Sequence, residues 1–260
     1  MDLDLRDRVF LVTGGSAGLG FAGARALTAE GARVVIAARD PAQVERSVAE
    51  LEPGGALGLQ ADLADPGVAE RLTEAAVARF GRIDGSLISV GGPPPGTALG
   101  VDDKSWTAAF QSVFLGSLRV ARAVADALPT DAASPVGTTG SLLFVLTKSA
   151  FSPIPDLAIS NGLRPGLAML TKQLADELGP RGIRVNAVAP GRFATERVRT
   201  LDASRGDPHL VRKGFEAAIP LGRYGEPAEF GALAAFVLSP RASYLTGTVV
   251  TLDGGASRQP

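Results

Sequence analysis

Val9-Phe10-Leu11-Val12-Thr13-Gly14-Gly15-Ser16-Ala17-Gly18-Leu19-Gly20 is the stretch that decides the fold. Its first five residues form an almost wholly apolar run, as in a strand covered by helices on both faces. The glycines that follow allow a tight turn and let backbone N–H groups approach a ligand. A helical pattern then continues through Ala29, so the turn opens a helix whose N-terminus favours an anion such as a pyrophosphate. Strand, glycine turn and helix in this order fit a dinucleotide-binding loop, with Gly14, Ser16, Ala17, Gly18, Leu19 and Gly20 as cofactor-binding residues.

Working outward, the same alternation repeats. Residues 33–38, 57–61, 83–90, 141–147, 184–189 and 248–252 read as further strands, several with no polar alternation. Between them lie helical patterns. Leu163, Leu167, Leu170, Leu174 and Leu178 mark one buried face, and Leu233, Phe236 and Val237 mark another behind a first-turn Pro227. Repeated strand–helix–strand units predict an α/β chain, a single Rossmann-type doubly wound domain over residues 1–260. Residues 129–140, rich in small and polar types, predict a plain connection to the next strand. Residues 191–225 follow a strand end, where ligands bind in such sheets, and predict a substrate lid.

Composition narrows the function classes. Apolar residues are 45% of the chain and charged residues 20%, in the globular range. A net charge of −1 predicts no nucleic-acid or membrane partner. The absence of cysteine excludes disulfides, thiolate metal sites and a cysteine nucleophile. No spacing of carboxylates or histidines predicts a metal site. The N-terminus lacks the basic-then-apolar profile of a signal peptide, and no apolar run is long enough to span a bilayer, so a cytoplasmic protein is expected.

The second strand chooses the cofactor. An NAD site commonly places an acid there to bind the ribose hydroxyls, but this chain has Ala38 followed by Arg39. A guanidinium would pair with a 2′-phosphate, which favours NADP(H) over NAD(H). Asp40, the next residue, is the alternative partner for NAD(H).

These motifs, with others further along, resemble the short-chain dehydrogenase/reductase family over nearly the whole chain. The resemblance includes Ala61-Asp62-Leu63, Arg184-Val185-Asn186-Ala187-Val188-Ala189-Pro190-Gly191, Pro220-Leu221-Gly222-Arg223-Tyr224-Gly225-Glu226-Pro227, Tyr244-Leu245-Thr246-Gly247 and Leu252-Asp253-Gly254-Gly255. It implies about seven parallel strands, a nicotinamide cofactor and hydride transfer without a metal. It also implies a homodimer or homotetramer built on two long helices, at residues 107–128 and about 165–178. By the same resemblance Asp62 and Leu63 lie near the adenine, Gly91, Pro190 and Gly191 border the cofactor, and Thr195 meets the nicotinamide carboxamide.

The family's catalytic pattern is not kept. Its Tyr-x-x-x-Lys falls at Ser160-Asn161-Gly162-Leu163-Arg164, its serine at Thr147 and its asparagine at Val113. Its Asn-Asn-Ala-Gly segment reads Ser89-Val90-Gly91-Gly92, followed by Pro93-Pro94-Pro95. Serine is a far weaker acid than a phenol, and arginine holds its proton where lysine can relay one. Thr147, Ser160 and Arg164 are therefore the candidate catalytic residues, with Arg164 also able to bind the ribose hydroxyls. Pro165 biases Arg164 away from helical geometry and predicts a helix that starts late or kinks there. Lys148 and His209 read as solvated side chains, and Tyr224 and Tyr244 as parts of framing motifs. Three functions remain open: an NADP(H)-dependent oxidoreductase acting on a small-molecule carbonyl or alcohol, a silent NADP(H)-binding sensor or partner subunit, and non-redox elimination or isomerisation on the same scaffold.

Overall fold

The computed structural model describes residues 1–51, 53–128 and 139–258. Seven parallel strands form one sheet in the order β3-β2-β1-β4-β5-β6-β7. They are β1 (Val9–Thr13), β2 (Arg33–Ala38), β3 (Ala56–Gln60), β4 (Gly85–Ile88), β5 (Gly140–Val145), β6 (Ile183–Pro190) and β7 (Val249–Leu252). The order reverses between β1 and β4, which opens a crevice beyond their carboxyl ends. Of the connection expected at 129–140, residues 129–138 lie outside the described residues, and Gly140 already belongs to β5.

The unbroken apolar runs have a direct cause. Val9 and Leu11 face one core layer while Phe10 and Val12 face another, so every residue of β1 is buried. The first layer lies beneath α3 (Val68–Phe80), α5 (Gly116–Ala127) and α6 (Ala158–Leu178). The second lies beneath α1 (Gly18–Ala29) and α9 (Pro227–Leu238). The α9 helix begins with a capping box between Glu226 and Glu229, with Pro227 in its first turn.

Two long helices differ from the sequence expectation. The first starts early, as α4 (Asp103–Ala109), passes through a π-helical segment at Phe110–Leu115 and continues as α5. The second does not wait for Pro165. It starts at Ala158, with Pro165 inside it. Burial of Ile159, Ser160 and Leu163 and the anchoring of Arg164 hold the turns that the proline's missing N–H weakens. The remaining helices are α2 (Pro41–Ala49), α7 (Glu196–Ala203) and α8 (Pro208–Ala217), the last two within the 191–225 segment. No helix among the described residues is long and apolar enough to cross a membrane.

Candidate active site

The glycine loop sits at the reversal point of the sheet. Thr13 Oγ1 donates to Ser89 O at 2.8 Å and accepts from Ser89 N at 3.0 Å, which fastens the end of β1 to the end of β4. Behind the loop, Ser16 O accepts from Ser47 Oγ at 2.8 Å and from Gln43 Nε2 at 3.1 Å. A Cβ on Gly20 would overlap Gly14 O, so only glycine allows the helix start to press against the turn. Gly18 has φ +55°, and a Cβ there would meet nothing nearer than Thr195 Cγ2 at 3.8 Å. The N-cap residue Ala17 supplies no side-chain cap, so the first N–H groups of α1 are left for a ligand. This cradle fits a dinucleotide pyrophosphate.

A cavity of about 300 Å³ beside β2 and β3 is lined by Arg39, Gln60, Asp62, Asp65 and Arg71. Arg39 is exposed at its rim, while Asp40 caps α2 by accepting from Ala42 N and Gln43 N. The carboxylate offered as the NAD(H) partner is thus engaged by its own helix. Asp62 Oδ1 accepts from Ala64 N at 2.9 Å, and Leu63 is buried against α5 near Gly116.

Across the crevice, Gly91 is exposed beyond β4. Pro190 ends β6, and a Cβ on Gly191 would lie 2.5 Å from Asp253 Cβ, so Gly191 also serves packing of the C-terminal segment. Thr195 caps α7 and lies over Gly18.

At the candidate catalytic positions the structure shows a connection that the sequence did not. Thr147 Oγ1 and Ser149 Oγ are 2.6 Å apart, and Ser149 Oγ and Ser160 Oγ are 2.9 Å apart. Ser149 N also donates to Thr147 Oγ1 at 2.9 Å. Thr147 is half-buried at the accessible end of this chain, while Ser149 and Ser160 are only 2% and 5% exposed. A serine is too short to reach where a tyrosine hydroxyl would stand. Ser149 was missed because it occupies no motif position; only its two-residue spacing from Thr147 on a turn hinted at it.

Arg164 is 3% exposed. Its Nη1 donates to Val145 O at 2.7 Å and its Nη2 to Val90 O at 3.4 Å. Burial, helped by repulsion from Arg197, lowers its pKa to about 10, so it is still charged at neutral pH. Val113 lies buried in the π-helical segment and supplies no polar group. His209 and Tyr244 are exposed, and Tyr224 is held by Asp202 and Arg192 within the 191–225 segment.

A parallel sheet with a glycine cradle at its reversal point defines a Rossmann-type dinucleotide-binding protein. Comparison with known proteins gives the family. The profile of the family described as enoyl-(acyl carrier protein) reductase matches residues 14–257. Levodione reductase of Leifsonia aquatica is 35% identical over 266 residues, covering 96% of this chain and 94% of that protein. Human dehydrogenase/reductase SDR family member 4 is 33% identical over 256 residues, covering 96% and 88%. The structure of L-sorbose reductase from Gluconobacter frateurii, complexed with NADPH and L-sorbose, superposes with a TM-score of 0.90 at 25% identity, over 100% of both chains. The chain belongs to the short-chain dehydrogenase/reductase family, whose members are oxidoreductases that bind NAD(P)(H).

Proposed function

We propose that the protein is an NADP(H)-dependent oxidoreductase that interconverts a carbonyl compound and its alcohol, with Thr147 in contact with the reacting oxygen. The hydroxyl chain Thr147–Ser149–Ser160 is the observation that carries this reading. The bound nicotinamide supplies the hydride. Gly14, Ser16, Ala17, Gly18, Leu19 and Gly20 hold the pyrophosphate, Arg39 the 2′-phosphate, and Asp62 and Leu63 border the adenine. Gly91, Pro190, Gly191 and Thr195 frame the nicotinamide end.

The chain's own residues then do the following. Ser160 donates to Ser149, and Ser149 donates to Thr147. With Ser149 N–H as a second donor, Thr147 Oγ1 accepts twice and turns its own proton towards the substrate oxygen. Hydrogen bonds aligned this way polarise one another, which strengthens the last donor. Arg164, bonded to Val145 O two residues before Thr147, adds a fixed positive charge that favours negative charge developing on that oxygen. Residues 191–225 close over the substrate as a lid. We place the subunit contact of a homodimer or homotetramer on α5 and α6, whose shared groove is lined by Leu118, Ala121, Leu170 and Leu174.

The test combines binding with turnover. NADPH binds more tightly than NADH in fluorescence titration, and Arg39→Asp narrows or reverses the preference, since a charge-assisted contact contributes about 1.5–3 kcal/mol. Across a carbonyl panel, Thr147→Val abolishes NADPH oxidation while leaving NADPH affinity intact. Equal affinity for both cofactors overturns the NADP(H) assignment, and unchanged turnover in Thr147→Val overturns the role given to the hydroxyl chain.

A further inference from the structure

The cleft holds positive charge that hydride chemistry does not require. Arg164 reaches the loop after β4 from below, with Nη2 3.4 Å from Val90 O. Arg197, on the first turn of α7, reaches the same loop from the lid, with Nη2 3.4 Å from Pro93 O. A Cβ on Gly92 would overlap the Arg197 guanidinium, so glycine lets the cation lie directly on the loop backbone. The loop is stiff: Pro93, Pro94 and Pro95 follow, and Gly96 N donates to Asp156 O at 2.7 Å.

Among the described residues neither cation has an acidic partner. Among the described residues no ion pair includes Arg164 or Arg197, whereas Arg8, Arg71, Arg192, Arg199 and Arg223 each form one. Arg164 Nε is buried with no hydrogen-bond partner. The two guanidiniums repel, and desolvation holds both below the ordinary arginine value. Arg197 is exposed as a residue, yet its charged end is partly desolvated where it lies on Gly92. In a chain of net charge −1 this pairing is a local feature, and an incoming anion relieves it.

We propose that Arg197 and Arg164 form a substrate-anion site, and that the substrate is an oxo acid whose carboxylate pairs with Arg197 while its carbonyl oxygen meets Thr147. The inference rests on the oxidoreductase reading above. Arg197 is the solvent-reachable member and offers the planar fork that matches a carboxylate. Arg164, with Nη1 and Nη2 already bonded to carbonyls, acts through its field. Hydride from the reduced cofactor would add to the carbonyl carbon, Thr147 would pass its proton to the carbonyl oxygen and regain one from solvent, and the products would be the hydroxy acid and oxidised cofactor. Oxidation of a bound cofactor would add positive charge to a cleft that already holds two guanidiniums, and the substrate's negative charge would offset that cost.

Two matched pairs of probes test this: levulinate against methyl levulinate, and acetoacetate against methyl acetoacetate. Each is assayed for NADPH oxidation and, by calorimetry, for binding to the NADPH-loaded protein, using the parent and Arg197→Gln. The parent favours acid over ester about tenfold or more, and Arg197→Gln lowers that ratio about tenfold, the size expected of a charge-assisted pair. Acid binding that depends on Arg197 without any turnover supports the anion site and removes the oxidoreductase reading. Equal use of acid and ester, or binding of neither, overturns the proposal. Weakened NADPH affinity in Arg197→Gln with an unchanged acid-to-ester ratio also overturns it, since the arginine would then serve the cofactor phosphates.

Discussion

At the scale of single residues, the site depends on a side chain with no place in any motif. Ser149 is buried between Thr147 and Ser160 and touches both hydroxyls. Ser149→Ala breaks the chain without removing Thr147. The expected result is a kcat lowered about tenfold with KM nearly unchanged, the loss of one hydrogen bond worth about 1–1.5 kcal/mol. Steady-state kinetics on the preferred carbonyl checks it; an unchanged kcat would mean that Thr147 needs no orienting partner. Sequence reasoning reached Thr147, Ser160 and Arg164 through their alignment with known motif positions. It could not place Ser160 behind Thr147, because that depends on the length of a side chain within a packed helix. Nor could it bring Arg164 and Arg197 together, since residues far apart in the chain show proximity only when folded.

Among the elements, the first strand–turn–helix was legible nearly to the residue, because each part follows a local rule. The apolar run forms β1, the glycines turn, and α1 runs from Gly18 to Ala29 as the pattern required. Two glycines of this element separate folding from binding. Gly20→Ala drives a Cβ into Gly14 O, so both stability and NADPH affinity fall, the former by about 1–3 kcal/mol as in other overpacked sites. Gly18→Val meets only Thr195 but must adopt φ +55°, which costs about 1–2 kcal/mol, and its side chain fills the cradle. Thermal unfolding with NADPH titration distinguishes them: both variants lose affinity, and Gly20→Ala loses more stability. Undiminished NADPH binding by Gly18→Val would reduce the loop to a plain turn. The α6 helix was less legible, because the rule that disfavours helix before proline is local. The bonds that override it run from Arg164 to Val145 O at the end of β5 and to Val90 O in the loop after β4, both remote in sequence. The π-helical segment at Phe110–Leu115 gave no signal either, as its apolar spacing is that of an ordinary helix.

For the whole molecule, seven parallel strands could be read from their apolar runs, and the family resemblance implied the same number. The long-range fastening of the 191–225 segment could not be read from either. Arg192 at its start donates to Asp202 Oδ1 at 2.5 Å, and Tyr224 near its end donates to Asp202 Oδ2 at 2.9 Å. The Arg192 guanidinium lies 3.3 Å from the centre of the Phe215 ring of α8, and Arg212 lies 4.9 Å from that of Tyr224. One carboxylate, 3% exposed, therefore joins both ends of the segment and α7, with α8 packed on its partner. Asp202→Ala leaves Arg192 without an acid and Tyr224 without its acceptor. The expected outcome is faster tryptic cleavage at residues 197–213, a raised KM, and little change in the unfolding of the sheet, because the fastening lies outside both core layers. Cleavage as slow as in the parent would show that the segment is held by other contacts. The phenol gives an independent reading. Burial first, then its bond to Asp202, raises the Tyr224 pKa to about 12, above the value of about 10 for an unfolded tyrosine. The unfolded chain therefore loses this proton first, and the bond's contribution is fully present below about pH 10 and lost as pH rises through about 12. Subtracting the ultraviolet phenolate titration of Tyr224→Phe from that of the parent isolates this group. A midpoint near 12 is expected, and one near 10 would show that Tyr224 is neither buried nor engaged by Asp202 in solution.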